Sequence, residues 1–133
     1  MYKVLFVYEE DLGLPDSVIR SIEDTGKEVT ALPLTVLEKT IDNEHNIIGD
    51  NYFSAVVLSG MIPTKQNPEF PGYDHPINAG RILRLYDRIK KRYTTEPPKV
   101  LMHTDFLHVR TRTDAKVYTD ETRLIEALTN PSS

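Results

Sequence analysis

Apolar positions along the chain fall into two kinds of pattern. Continuous runs occur at Lys3–Tyr8, at Ala55–Leu58 within Phe53-Ser54-Ala55-Val56-Val57-Leu58, and at Lys99-Val100-Leu101-Met102. Continuous runs, as opposed to strict alternation, predict strands covered on both faces, as in a parallel sheet. Val29–Leu34 and Lys116–Thr119 are more polar and are expected nearer the sheet edges. Pro33 removes a ladder donor, which fits an edge strand or its end. Between these runs the apolar residues recur at helical spacing. Val18, Ile19 and Ile22 form one stripe, with Pro15 in the first turn and Gly26 as the stop. Thr35 followed by Glu38 reads as a capping box opening a helix over about 36–43. The longest pattern covers about 76–93, with Ile82, Leu85, Tyr86, Ile89 and Tyr93 on one face, ended by Thr94–Pro98. Asp120 can cap a last helix carrying Leu124, Ile125 and Leu128, finished by Asn130-Pro131.

Alternation of strands and helices predicts an α/β three-layer sandwich whose five-stranded parallel sheet has the order 2-1-3-4-5. The stretch Asp105–Asp114 departs from the pattern. Leu107–Arg112 alternates like a strand, so the fourth helix is expected to be short or replaced by a hairpin. Pro63–His75 is a proline-punctuated loop of a length that is often functional. No repeat or linker divides the chain, so residues 1–133 read as one domain.

Composition narrows the chemistry. The 133 residues include no cysteine, which excludes disulfides, thiol nucleophiles and thiolate-bound metals. The N-terminal apolar run is too short for a signal peptide, and no run approaches the roughly twenty apolar residues of a membrane span. The expected location is therefore cytoplasmic, with no membrane contact. A net charge of −4 argues against nucleic acid as a partner of the whole surface. The charge is uneven: Arg81, Arg84, Arg88, Lys90, Lys91 and Arg92 face a single Asp87, while Glu9, Glu10, Asp11 and Asp16 crowd the first loop. The basic stretch reads first as a solvated helix face, and with Arg110 and Arg112 as an interaction face second. Tyr86 and Tyr93 lie on the apolar stripe and read as core.

Several segments resemble response-regulator receiver (CheY-like) domains. Lys3-Val4-Leu5-Phe6-Val7-Tyr8-Glu9-Glu10 is similar to the family's first strand and acidic loop. Phe53–Ser59, with Gly60-Met61-Ile62-Pro63, resembles the third strand and the Met-x-Pro turn. Pro98–Thr104 resembles the fourth strand with its hydroxyl residue, and Ala115–Tyr118 the fifth with its switch aromatic. The resemblance implies a flavodoxin/CheY-like fold. It also marks departures: Ser59 stands where the family has its phospho-acceptor aspartate, Tyr8-Glu9 where it has an acidic pair, and Asp120-Glu121 where it has a lysine. Thr104 and Tyr118 remain of the switching residues. A serine hydroxyl is a weak nucleophile toward acyl phosphate, and the sequence sets no base beside Ser59. What the resemblance implies is a degenerate pseudo-receiver. Val56–Gly60 and His75-Pro76 also resemble class I glutamine amidotransferases, whose activity the absence of cysteine excludes.

In open parallel sheets ligands bind outside the carboxyl ends of the strands. The candidates there are Glu9, Glu10, Asp11, Ser59, Thr104, Asp105 and Tyr118. No cofactor is expected, although Glu9, Asp11 and Asp105 have the hard oxygen donors that suit Mg²⁺ or another hard cation. If Glu9, Glu10, Asp11 and Asp105 converge, their repulsion raises at least one carboxyl pKa. His103 beside Asp105 offers an acid–base pair with Ser59 as nucleophile, but the strand ends there and no Gly-x-Ser-x-Gly elbow surrounds the serine. His45, His75 and His108 are singletons in loops. The expected function is a non-catalytic, receiver-like domain in a regulatory role, with a protein partner or a homodimer. The competing reading is a small metal-dependent enzyme or ligand-binding protein that uses the strand-end carboxylates.

Overall fold

The computed structural model describes residues 2–10, 14–60, 76–95, 98–104 and 113–129. Five strands, β1 (Lys3–Tyr8), β2 (Glu28–Pro33), β3 (Ala55–Ser59), β4 (Val100–His103) and β5 (Lys116–Tyr118), pair in parallel in the order β2-β1-β3-β4-β5. The helices are α1 (Asp16–Glu23), α2 (Leu34–Thr40), α3 (Ile47–Asp50), α4 (Pro76–Arg92) and α5 (Glu121–Thr129). This is the predicted sheet, with its polar strands β2 and β5 at the edges.

Side chains alternate across the sheet, so each central strand feeds two cores. Val4, Phe6, Ala55, Val57 and Leu101 pack against Val18 and Ile22 of α1 and Leu124 and Leu128 of α5. Leu5, Val7, Val56 and Leu58 meet Leu34 and Leu37 of α2 and Ile82, Leu85 and Ile89 of α4 on the other face. Both faces of β1 and β3 are buried, which is why their apolar runs are unbroken. Each fully buried aliphatic or aromatic side chain contributes roughly 1.5–3 kcal/mol relative to exposure.

Local chemistry sets most boundaries. Gly26, at φ 88°, supplies the left-handed turn after α1 that a side chain would resist. Asp120 caps α5, its carboxylate accepting from the Thr122 amide at 2.9 Å. At α2 the expectation fails. The helix starts at Leu34, Pro33 sits at the N-cap, and no side chain caps it. Thr35 lies inside the helix and not at its N-cap, so Thr35 and Glu38 turn instead to tertiary partners, Glu10 and Arg81. The short α3 was not foreseen. Asn46 nucleates it, accepting from the Ile48 and Gly49 amides at 3.0 and 3.2 Å while donating to the Ile41 and Asn43 carbonyls at 3.3 Å each. No helix among the described residues is long and apolar enough to cross a membrane. The expected loop over 63–75 and the strand-like stretch 107–112 lie outside the described residues.

Candidate functional site

The register of the sheet builds the site. Tyr8 lies opposite Ser59, Ser59 opposite His103, and His103 opposite Tyr118. Residues in register on parallel strands project to one face, here the α1 and α5 side. Ser59 Oγ comes within 3.3 Å of His103 Nδ1, with the two residues only 8% and 3% exposed. The sequence reading that Ser59 has no base beside it is thus corrected. The partner is set by pairing between β3 and β4, 44 residues apart in sequence, and no local spacing reveals it. One row further, Glu9 and Thr104 are also buried. Backbone bonds continue past the strands, from the Gly60 amide to the His103 carbonyl and from the Thr104 amide to the Tyr118 carbonyl, each 3.0 Å. Glu9, Ser59, His103 and Thr104 therefore form a buried polar crest at the ends of β1, β3 and β4.

Gly60 explains how α4 docks there. A Cβ at this position would stand 1.9 Å from Ile82 Cδ1 and 3.8 Å from Glu9 Oε1. The missing side chain lets α4 reach the strand end at Ile82. That approach delivers Arg81. Its guanidinium donates to Glu38 at 2.7 and 3.4 Å and to Thr35 Oγ1 at 3.4 Å, and lies 3.8 Å from Glu10 Oε1. Glu10 accepts from the Thr35 hydroxyl, and from the Thr35 amide at 3.3 Å.

The electrostatics follow from these contacts. The Thr35 hydroxyl bond, with a smaller contribution from Arg81, holds the Glu10 carboxyl below the usual carboxylate range. Glu38, then Glu9 and Glu10, raise the Arg81 pKa further. For Glu10 the shift is opposite to the one expected from carboxylate repulsion, because it faces a hydroxyl and a guanidinium. Asp11 and Asp105 lie outside the described residues. Among the described residues no group of three or more His, Asp or Glu side chains is placed to hold a metal ion.

The basic helix face is solvated at Arg84, Lys90, Lys91 and Arg92, and several of its cations also have partners. Arg88 donates to the Glu38 carbonyl at 2.7 Å and to Asp42 at 2.8 Å, and Arg92 to the carbonyls of Asn43 and Glu44. Lys90 pairs with Asp114 at 2.9 Å, and Asp114 also accepts from Tyr86 at 2.8 Å. Arg84 and Lys91 are exposed, as are Lys90 and Arg92. Arg110 and Arg112 lie outside the described residues. The sequence reading missed Arg81, Thr35 and Glu38 as site residues. The available signal was the placement of arginines at 81, 88 and 92 along one side of a helix opposite Glu38, Asp42 and Glu44. Tyr93, read as core, is half-buried and donates to Asn46 Oδ1 at 3.0 Å.

Strand order, crossovers and strand-end crest define a flavodoxin/CheY-like fold. Its solved counterparts include a response regulator receiver domain protein (CheY-like) from Methanospirillum hungatei, similar at a TM-score of 0.50 and 17% identity. The match covers 96% of this chain and 91% of that one. No family model and no curated protein matches the sequence.

Proposed function

We propose that this chain is a receiver-like signalling domain that acts by binding a protein partner and is not phosphorylated by the aspartyl route. The observation that carries the reading is Ser59. It stands at the carboxyl end of β3, where the resemblance would require an aspartate, and its hydroxyl is buried against His103. Acyl-phosphate chemistry needs a carboxylate nucleophile, and an alcohol cannot form that anhydride. The polar crest, with Thr104 and Tyr118 in the fourth and fifth strand positions, keeps the scaffold of a switch without its acceptor. The test is intact-mass measurement after incubation with acetyl phosphate and Mg²⁺. No mass change is expected, and a stable phosphoryl gain on Ser59 or a strand-end carboxylate would overturn the reading.

The contact between Ser59 and His103 favours one second reading, a nucleophile and base in a small hydrolase. A fluorophosphonate probe distinguishes the two. Labelling of Ser59, lost in His103→Gln, would support the hydrolase. An unlabelled protein supports the binding domain, in keeping with a serine only 8% exposed.

A further inference from the structure

The end of the sheet opposite the polar crest holds a cavity of about 580 Å³, within the size range of small-molecule sites. It lies between α3, the end of α4 and the segments that lead into β3 and β4, and Tyr52, Phe53 and Tyr93 line it. The rings are held differently. The Tyr93 hydroxyl donates to Asn46 at 3.0 Å, and Gly49 leaves room for it, since a Cβ there would stand 2.9 Å from Tyr93 Oη. Tyr52 is 89% exposed, so its ring adds almost nothing to the core while bordering the cavity. The charge around these rings is positive, in a chain whose net charge is −4. Lys3 stands over the Phe53 ring at 5.5 Å and Arg92 over the Tyr93 ring at 5.6 Å, and Lys99 belongs to the lining. Arg92 and Lys99 donate to backbone carbonyls, and no carboxylate among the described residues pairs with Lys3, Arg92 or Lys99. Carbonyl contacts leave the full positive charge in place. Asp50 is the one carboxylate among the described lining residues, and it lies 3.2 Å from His45 Nδ1.

We propose that this cavity binds a small planar aromatic anion, its ring against Tyr52 and its negative group toward the cations Lys3, Arg92 and Lys99. Flat rings suit the aromatic lining, because offset or edge-to-face contact with Tyr52 and Phe53 adds to the apolar area buried. The excess of positive charge selects the sign of the ligand and draws it to the site. Ser54, also in the lining, favours the same choice. Its Oγ accepts from the Lys3 amide at 3.2 Å, which leaves the hydroxyl proton to donate. The cavity shares no residue with the Ser59–His103 pair, so the inference stands or falls separately from the phosphorylation test.

The experiment is a titration of the whole chain with three probes that share one ring system: naphthoate, naphthamide and naphthylmethylamine. Binding is read as saturable shifts of the Gly49, Tyr52, Ser54 and Lys99 amide signals. Naphthoate should saturate these shifts, naphthamide should bind about fivefold more weakly, and the amine weakest of all. Tyr52→Ser should weaken naphthoate by about tenfold with an unchanged melting temperature, as expected for a side chain 89% exposed. Lys3→Gln should narrow the gap between the acid and the amide while leaving the amide's affinity as it was. Wild-type protein without saturable shifts at these four amides would overturn the proposal, as would an amine that binds as tightly as the acid. Should either variant fail to fold, the ranking of the three probes on the wild type still decides.

Discussion

Ile82 occupies the space that a side chain at position 60 would need, with its Cδ1 1.9 Å from where a Cβ of Gly60 would stand. A sheet residue and a helix residue thus share one side chain's volume, and the helix comes close enough to place Arg81 among the strand-end carboxylates. Gly60→Ala should therefore cost about 1–3 kcal/mol through overpacking. Ile82→Val removes Cδ1, so the double variant should lose clearly less than the sum of the two single losses. Urea denaturation of the four proteins measures the coupling, and strict additivity would contradict the shared volume.

Asn46 is the next sensitive position. It is 4% exposed, caps α3, receives the Tyr93 hydroxyl and donates to two carbonyls. Asn46→Ala should destabilise the fold by about 2 kcal/mol, the loss of a cap plus unsatisfied buried groups. Asn46→Asp keeps the cap acceptor but loses both donated bonds, and should also be less stable than wild type. Thermal melts are sufficient to rank the three proteins.

Glu10 gives stability a defined acid limb. Its folded pKa lies below the ordinary value, chiefly through the Thr35 hydroxyl. The folded state therefore binds that proton less readily than the unfolded chain. The associated stability is present above the ordinary carboxylate pKa and is lost as pH falls through the depressed value. Thr35→Val should bring the Glu10 pKa, read by carboxyl NMR, back toward the normal range. Glu10→Gln should flatten the acid side of the stability profile, by a modest amount because the side chain is 35% exposed.

Tyr86 acts at the other end of the pH scale. Burial, and then its hydrogen bond to Asp114, push its phenol up to about 12. A raised pKa means the stability it contributes is complete below the ordinary tyrosine value near 10 and declines as pH rises toward 12. Ultraviolet titration of Asp114→Asn should show the phenol ionising at lower pH than in wild type, and Tyr86→Phe should remove that late step. A late step retained in Tyr86→Phe would assign it to another tyrosine.

The sheet was legible in the sequence because its central strands are buried on both faces, and Val4–Val7 and Ala55–Leu58 carry that burial as unbroken apolar runs. Helices α1, α4 and α5 were equally visible through their stripes and end signals. The candidate site was legible only as a list. The strand ends named Glu9, Ser59 and Thr104, but pairing Ser59 with His103 required the register of β3 against β4. Arg81 was hidden by its composition: six basic residues between 81 and 92 read as a solvated face, while the three arginines that matter are distinguished by what lies across from them. Thr35 and Glu38 misled for a related reason. Their spacing satisfies a local rule, but the helix begins at Leu34 and their partners are tertiary. Asn46 nucleates a four-residue helix too short to leave any periodicity.

Arg81, Arg88 and Arg92 of α4 carry a consequence for how the molecule opens and closes. Arg88 and Arg92 hold the carbonyls of Glu38, Asn43 and Glu44 across sequence separations of 48 to 50 residues. The segment from α2 through α3 is thus fastened by a helix made much later in the chain. Its ends cannot be secured until that helix has docked. Residues 34–50 and 81–93 should accordingly behave as one cooperative unit in native-state hydrogen exchange, exposing their amides together. The α1 and α5 side, which shares none of these fasteners, should exchange on its own schedule.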